Sequence, residues 1–168
     1  MRLQVLSVLA AALLVAACES TPESGAAATG SGQTTAAPAP VSTAPTSAVR
    51  PGSQEDLAIN VGDRVFYDFD KYDLKPEARQ TLERQAAWLK RYPSVRFQIE
   101  GHADERGTRE YNLALGERRA NAARDYLVTL GIDPARLSTI SYGKERPAVL
   151  GSNEAAWSQN RRAVAVVR

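Results

Sequence analysis

The stretch Gly101–Ala120, GHADERGTREYNLALGERRA, decides how the rest of the chain is read. It enters as the end of a strand, because Val95, Phe97 and Ile99 alternate with Arg96, Gln98 and Glu100. It leaves as a helix expected from about Thr108 to Leu130, with Gly131 as the C-terminal cap. A turn carrying both signs of charge joins the two. Set about 100° apart, Leu115, Arg119, Ala122 and Tyr126 fall near one stripe, and the stripe is expected to face the core. A guanidinium there requires an anion, since arginine stays charged and is rarely buried alone. Two partners fit: an internal carboxylate, most simply Asp104, or a ligand carboxylate held by Arg119 while Asp104 takes the ligand's cationic group.

Working outward, RVFYDFD predicts a strand over Val65 to Phe69, closed by the polar turn Asp70-Lys71-Tyr72-Asp73. Pro76 suits a first helical turn, and Ala78, Leu82, Ala86 and Leu89 repeat at helical spacing until Tyr92-Pro93. Beyond the central helix, Asp133-Pro134 opens a short turn, and Leu137 to Tyr142 reads as a strand ending at Gly143. Ser152 or Asn153 caps a short helix through Ala155, Ala156 and Trp157, and Ala163 to Val167 is a last strand. The alternation predicts an α+β fold, an α/β two-layer sandwich with one mixed sheet. Right-handed crossovers bring the ends of the first two strands to one rim, with Asp70, Asp104 and the first turns of the helices that follow them.

Ahead of this domain, placed at 54–168, the composition changes. Residues 1–17 carry Arg2 and then the apolar run Leu3 to Ala17, too short for a comfortable span, which reads as an export signal. Val15-Ala16-Ala17-Cys18 resembles the bacterial lipobox, so Cys18 is expected to be lipidated; the alternative is an ordinary signal with an incidental cysteine. Residues 18–53 are Ala, Thr, Ser, Pro and Gly with hardly any large apolar side chain, a composition that favours a disordered tether. Its reach is about 110 Å fully extended and roughly 30–35 Å as a coil.

The composition also excludes. Lys+Arg 21 against Asp+Glu 19 gives no footprint for nucleic acid. One cysteine and one histidine allow no internal disulfide and no structural zinc. No GxSxG elbow or phosphate-cradling glycine loop is present. Asp68, Asp70 and Asp73 do not have the spacing of a calcium loop. His102 with Asp104 and Glu105 supplies an acid–base pair or part of a metal site. Trp88, Tyr92 and Trp157 suit packing better than sugar stacking. Arg161-Arg162 either holds an anionic group or caps helix carbonyls.

The runs FYDFDKYDL, IEGHADERGTREYNLALGERRANAARDYL, SYGKERPAVLGSNEAAW and NRRAVAVV together resemble the OmpA-like peptidoglycan-binding family, from about Val61 to Arg168. The lipobox and tether resemble its lipid-anchored members rather than β-barrel fusions. That resemblance implies no catalysis and no cofactor. It implies noncovalent capture of the diaminopimelate stem peptide of peptidoglycan, with Asp104 and Arg119 at the family's acidic and basic ligand positions. By the same resemblance Phe69, Asp70, Lys71, Tyr72, Ala103, Asn112 and Leu115 border the pocket, with backbone amides near Phe69 to Tyr72 completing the cradle and Asn112 tying turn to helix. The implied partners are peptidoglycan, the outer membrane through the lipid anchor, and the periplasmic β-propeller protein of the Tol system; the alternatives are a lipid-anchored, metal-dependent cell-wall hydrolase using His102 and Asp104, and an OmpA-like module with another protein partner. Glu19, where an aspartate favours inner-membrane retention in some bacteria, favours the outer membrane.

Overall fold

A computed structural model describes residues 49–168, so the expected export signal, Cys18 and nearly all of the expected tether lie outside the described residues. Ser53 opens helix α1 (Gln54–Asn60) by accepting from the Asp56 amide. Asp56 then takes the N–H of Gly52, the Asn60 amide and the indole of Trp88. The packed unit therefore starts with the turn just ahead of Gln54. No periodicity announces this helix, because Leu57 is its one buried large apolar side chain and Ile59 faces solvent.

Strand β1 (Arg64–Phe66) is shorter than expected. Tyr67 adds one bond to the Arg161 carbonyl, and the chain then turns away through Asp70, whose φ of 55° is the one left-handed non-glycine conformation among the described residues. Helix α2 (Pro76–Arg91) starts with proline and buries Ala78, Leu82, Ala86, Trp88 and Leu89. Trp88 stacks on Phe97, so it belongs to the core.

Strand β2 (Phe97–His102) feeds helix α3 (Arg109–Thr129), which Thr108 caps by accepting from the Tyr111 amide. Gly131, at φ 87°, ends it. The buried side of α3 is Asn112, Leu115, Gly116, Arg119, Ala120, Ala123 and Leu127. Ala122 and Tyr126 lie at its edge, half-buried, because the stripe is centred one residue from where sequence spacing put it.

After a 3-10 turn (Pro134–Arg136), strand β3 (Leu137–Gly143) pairs parallel with β2, so β2–α3–β3 is one crossover unit. Asn153 caps helix α4 (Glu154–Asn160). Strand β4 (Arg162–Val167) lies between β1 and β2, antiparallel to both, giving the order β1-β4-β2-β3. The sheet is mixed, as expected. β4 begins where β1 and β2 end, which delivers Arg161 to the rim they share.

Helix α3 approaches the sheet through two glycines. A Cβ on Gly101 would lie 1.8 Å from the Gly116 carbonyl oxygen, and one on Gly116 would lie 2.3 Å from Ser141 Oγ. This close approach sets the height of Arg119, one turn further along α3. Gly101→Ala has backbone in its way, so it should lower the free energy of unfolding by about 2–3 kcal/mol, read from urea denaturation; an unchanged midpoint would show that the contact does not fix the helix.

Candidate functional site

Arg119 is fully buried, and no carboxylate oxygen lies within ion-pair distance of it among the described residues. Its Nε donates to the Lys71 carbonyl at 2.8 Å, Nη1 to the His102 carbonyl at 2.9 Å and Nη2 to the Asp68 carbonyl at 3.1 Å. The expected internal pair with Asp104 does not form. Three of its five N–H donors are committed, leaving one hydrogen on each terminal nitrogen. Burial pulls the guanidinium down to about 10, partly offset by Tyr67 and Asp104, so it remains a cation at neutral pH. The Tyr67 hydroxyl donates to the Arg119 carbonyl at 2.8 Å and fixes the helix turn from behind.

Asp104, 5% exposed, pairs with other arginines. Arg106 Nη2 lies 2.6 Å from Oδ2, and Arg106 Nε and backbone N–H both donate to Oδ1 at 3.1 Å. Arg161 Nη1, from the residue between the last helix and the last strand, reaches Oδ2 at 3.4 Å. Burial alone would raise this carboxyl, but the hydrogen bonds and charge of Arg106, with Arg161 behind, hold it below the usual carboxylate range. Arg161 also donates to the Tyr67 carbonyl and pairs with Glu154, so it holds both an anion and a carbonyl. Arg162 caps the carbonyls of Asn160 and Arg146.

Between these groups opens a pocket of about 190 Å³ lined by Phe69, Asp70, Asp104, Asn112, Leu115 and Arg119 from the expected set, with Arg106, Gly107 and Tyr111 added. Asn112 ties turn to helix, donating to the carbonyls of Arg106 at 2.7 Å and Thr108 at 3.0 Å. The Asp70 carboxylate accepts from the Tyr111 hydroxyl, pinning the β1 loop to α3.

Three expected residues do not line the pocket. Lys71 contributes its carbonyl, which Arg119 holds, rather than an amide facing a ligand. Tyr72 turns to solvent beside Arg118, whose guanidinium carbon is 5.6 Å from its ring. Ala103 is buried, bonded through its N–H to the Gly143 carbonyl, and borders a separate recess with Glu105 and Lys144. Of the two helix starts placed at the rim, only that of α3 reaches the pocket.

His102 also leaves the site. Gly101 faces α3, so the next side chain points to the other face of the sheet, beside Tyr142 and 3.8 Å from Glu100. Among the described residues no three His, Cys, Asp or Glu side chains gather as a metal site. Asp68 pairs with Lys75, away from Asp70.

A model of the OmpA family matches residues 66–161, which include every residue of this pocket. The chain belongs to the OmpA family. It is 58% identical over 120 residues to the peptidoglycan-associated lipoprotein of Rhizobium meliloti, covering 71% of this chain and 68% of that protein. The corresponding protein of Agrobacterium fabrum is 58% identical over 117 residues, covering 70% and 66%. The chain thus spans about two thirds of the length of these relatives. Among solved structures, the peptidoglycan-associated lipoprotein from Burkholderia pseudomallei superposes with a TM-score of 0.62 at 45% identity, covering 63% of this chain and 90% of that one. The C-terminal domain of Helicobacter pylori MotB, 20% identical with a TM-score of 0.59, shares the fold.

Arg106, Gly107 and Tyr111 line this OmpA-family pocket without having been expected there. Arg106 was legible in principle, since an aspartate two residues ahead of a backbone N–H forms a local turn that brings the following side chain back over it. The packing of Trp157 on Arg106, outside the pocket lining, was not, because only the tertiary fold sets α4 against the turn; the Trp157 indole donates to Glu105 at 3.0 Å and its ring lies 4.0 Å from the Arg106 guanidinium. Among the described residues no helix is long and apolar enough to cross a membrane.

His102 gives the domain a pH response separate from the pocket. Burial, with the charges of Arg162 and Arg146, pulls its imidazole down to about 4. The unfolded chain gains a proton near pH 6.5 that the folded chain refuses, so stability present above that pH is lost as the pH falls toward 4. Asp104, depressed as well, contributes stability that is lost further down, as the pH falls from the usual carboxylate range through its lowered value. Unfolding free energy should drop by about 2 kcal/mol between about pH 6.5 and 4.5, and His102→Gln should flatten that segment. An unchanged slope in the variant would assign the response to other groups.

Proposed function

We propose that this chain is a lipid-anchored outer-membrane protein that binds peptidoglycan without catalysing a reaction, its pocket gripping the zwitterionic end of a diaminopimelate stem peptide. The observation that carries this reading is the separation of charge: a buried carboxylate and a buried guanidinium line one pocket and are not bonded to each other. A ligand ammonium suits Asp104. A ligand carboxylate suits the two remaining hydrogens of Arg119, which form parallel charge-assisted bonds to a planar anion. The lipobox-like run ending at Cys18 and the Ala/Thr/Ser/Pro-rich run after it support a domain held on a leash from the membrane to the wall. The names of the relatives, and Glu19 after the cysteine, favour the same placement.

The reading includes a second partner, the periplasmic β-propeller protein of the Tol system, competing with the wall for the pocket's surroundings. One domain would then exchange wall for Tol complex as the envelope constricts at division. The hydrolase alternative loses support because the ring of His102 faces away from Asp104.

Sedimentation with purified peptidoglycan tests the site. Arg119→Ala releases three backbone carbonyls and should destabilise the fold, so Asp104→Asn is the cleaner variant. It keeps the acceptor for the Arg106 N–H and removes the charge, and should weaken binding by about 10- to 100-fold at unchanged circular dichroism. Arg119→Lys should weaken it too, since a point charge loses the fork. Retained binding in both variants would defeat the assignment, and soluble muropeptides released by the wild type would point to the hydrolase. Muropeptide that fails to displace the propeller would remove the shared surface.

A further inference from the structure

An ammonium bound for Asp104 meets a carboxylate that is already occupied. Arg106 covers both oxygens with its Nη2, Nε and backbone N–H, and its guanidinium carbon lies 4.0 Å from the ring centres of Phe69 and Trp157. The Arg106 side chain is 32% exposed and that of Asp104 5%, so the arginine stands between solvent and the acid. Arg161, the other cation on Asp104, is 6% exposed and fastened to the Tyr67 carbonyl and Glu154 as well, so it cannot leave cheaply. The Arg106 guanidinium has only Asp104 and two aromatic faces, and its backbone is followed by Gly107 at φ 87°.

We infer that Arg106 is a specificity-determining residue: its guanidinium is a built-in occupant of the ammonium subsite, and a ligand binds by exchanging for it. The inference rests on the functional reading above. Exchange sets one condition and favours a second. The ligand must bring a cation able to replace a bidentate, aromatic-sandwiched arginine at Asp104. It binds better still if it offers the displaced guanidinium a fresh anion, because each carboxylate around Arg106 already has a partner, Glu154 in Arg161, Glu105 in the Trp157 indole and Asp70 in the Tyr111 hydroxyl. The favoured ligand therefore carries, beside its zwitterionic head, a second carboxylate within reach of the pocket mouth. A peptide in which an acidic residue precedes the zwitterionic one has this chemistry, and the same peptide with that acid amidated does not.

Calorimetric titration of the full chain with alanyl-γ-glutamyl-diaminopimelate, its glutamyl α-carboxylate free or amidated, tests this. The wild type should prefer the free acid by about fivefold, the size of a half-exposed charge pair. Arg106→Gln should bind the two peptides equally, and should bind the amidated one more tightly than the wild type does, since no internal cation has to be displaced. Equal binding of both peptides by the wild type, or a preference that survives in Arg106→Gln, overturns the inference. So does a variant that loses affinity for both peptides alike, which would make Arg106 only an orienting partner of Asp104. A wild type that binds neither peptide removes the functional reading and the inference with it.

Discussion

The guanidinium of Arg119 joins three carbonyls, from Asp68, Lys71 and His102, that no strand pairing would bring together. Two belong to the loop after β1 and one to the end of β2, and β4 separates those strands in the sheet. A single buried cation thus ties the two loops to α3 and gives the pocket its floor. Neutral donors would satisfy the same carbonyls at less desolvation cost. What a charged group adds is a field directed into the pocket, undiminished by any carboxylate within ion-pair range.

The remaining charges follow from topology. Because β4 runs antiparallel between the parallel pair β1 and β2, its first residues arrive at their carboxyl ends, and Arg161 reaches Asp104 from behind. The glycine contact between β2 and α3 sets the distance at which Arg119 meets the loops. Asp104, on the turn between these elements, is left facing Arg106 rather than Arg119. Asp104 and Arg119 therefore line one pocket without neutralising each other, a condition that suits capture of a zwitterion once Arg106 gives way.

Much of this was legible in the sequence. Alternation through Phe97 and Ile99, the apolar stripe through Leu115 and the Gly131 cap placed the central strand and helix within a residue or two of their observed ends. Asp104 and Arg119 stood out because a charge on an apolar stripe demands a partner. Local pattern did not reveal which partner each had, since Arg119 satisfies itself on backbone carbonyls, and carbonyls carry no sequence signature. Helix α1 was missed because one buried leucine makes no periodicity, and the contact of Trp157 with Arg106 because the two lie about fifty residues apart along the chain. The loop after β1 ran shorter as a strand than its aromatic content suggested, since Arg119 and the left-handed Asp70 pull it out of the sheet.

The central claim is that Asp104 and Arg119 together grip one zwitterionic head group. A crystal structure of the chain with a diaminopimelate-containing stem tripeptide tests it most directly. The account predicts the ligand ammonium and carboxylate at hydrogen-bond distance, about 2.7–3.2 Å, from Asp104 and from the terminal nitrogens of Arg119 respectively. A ligand bound on another surface, or one that leaves Arg119 untouched at the bottom of an empty pocket, would contradict it.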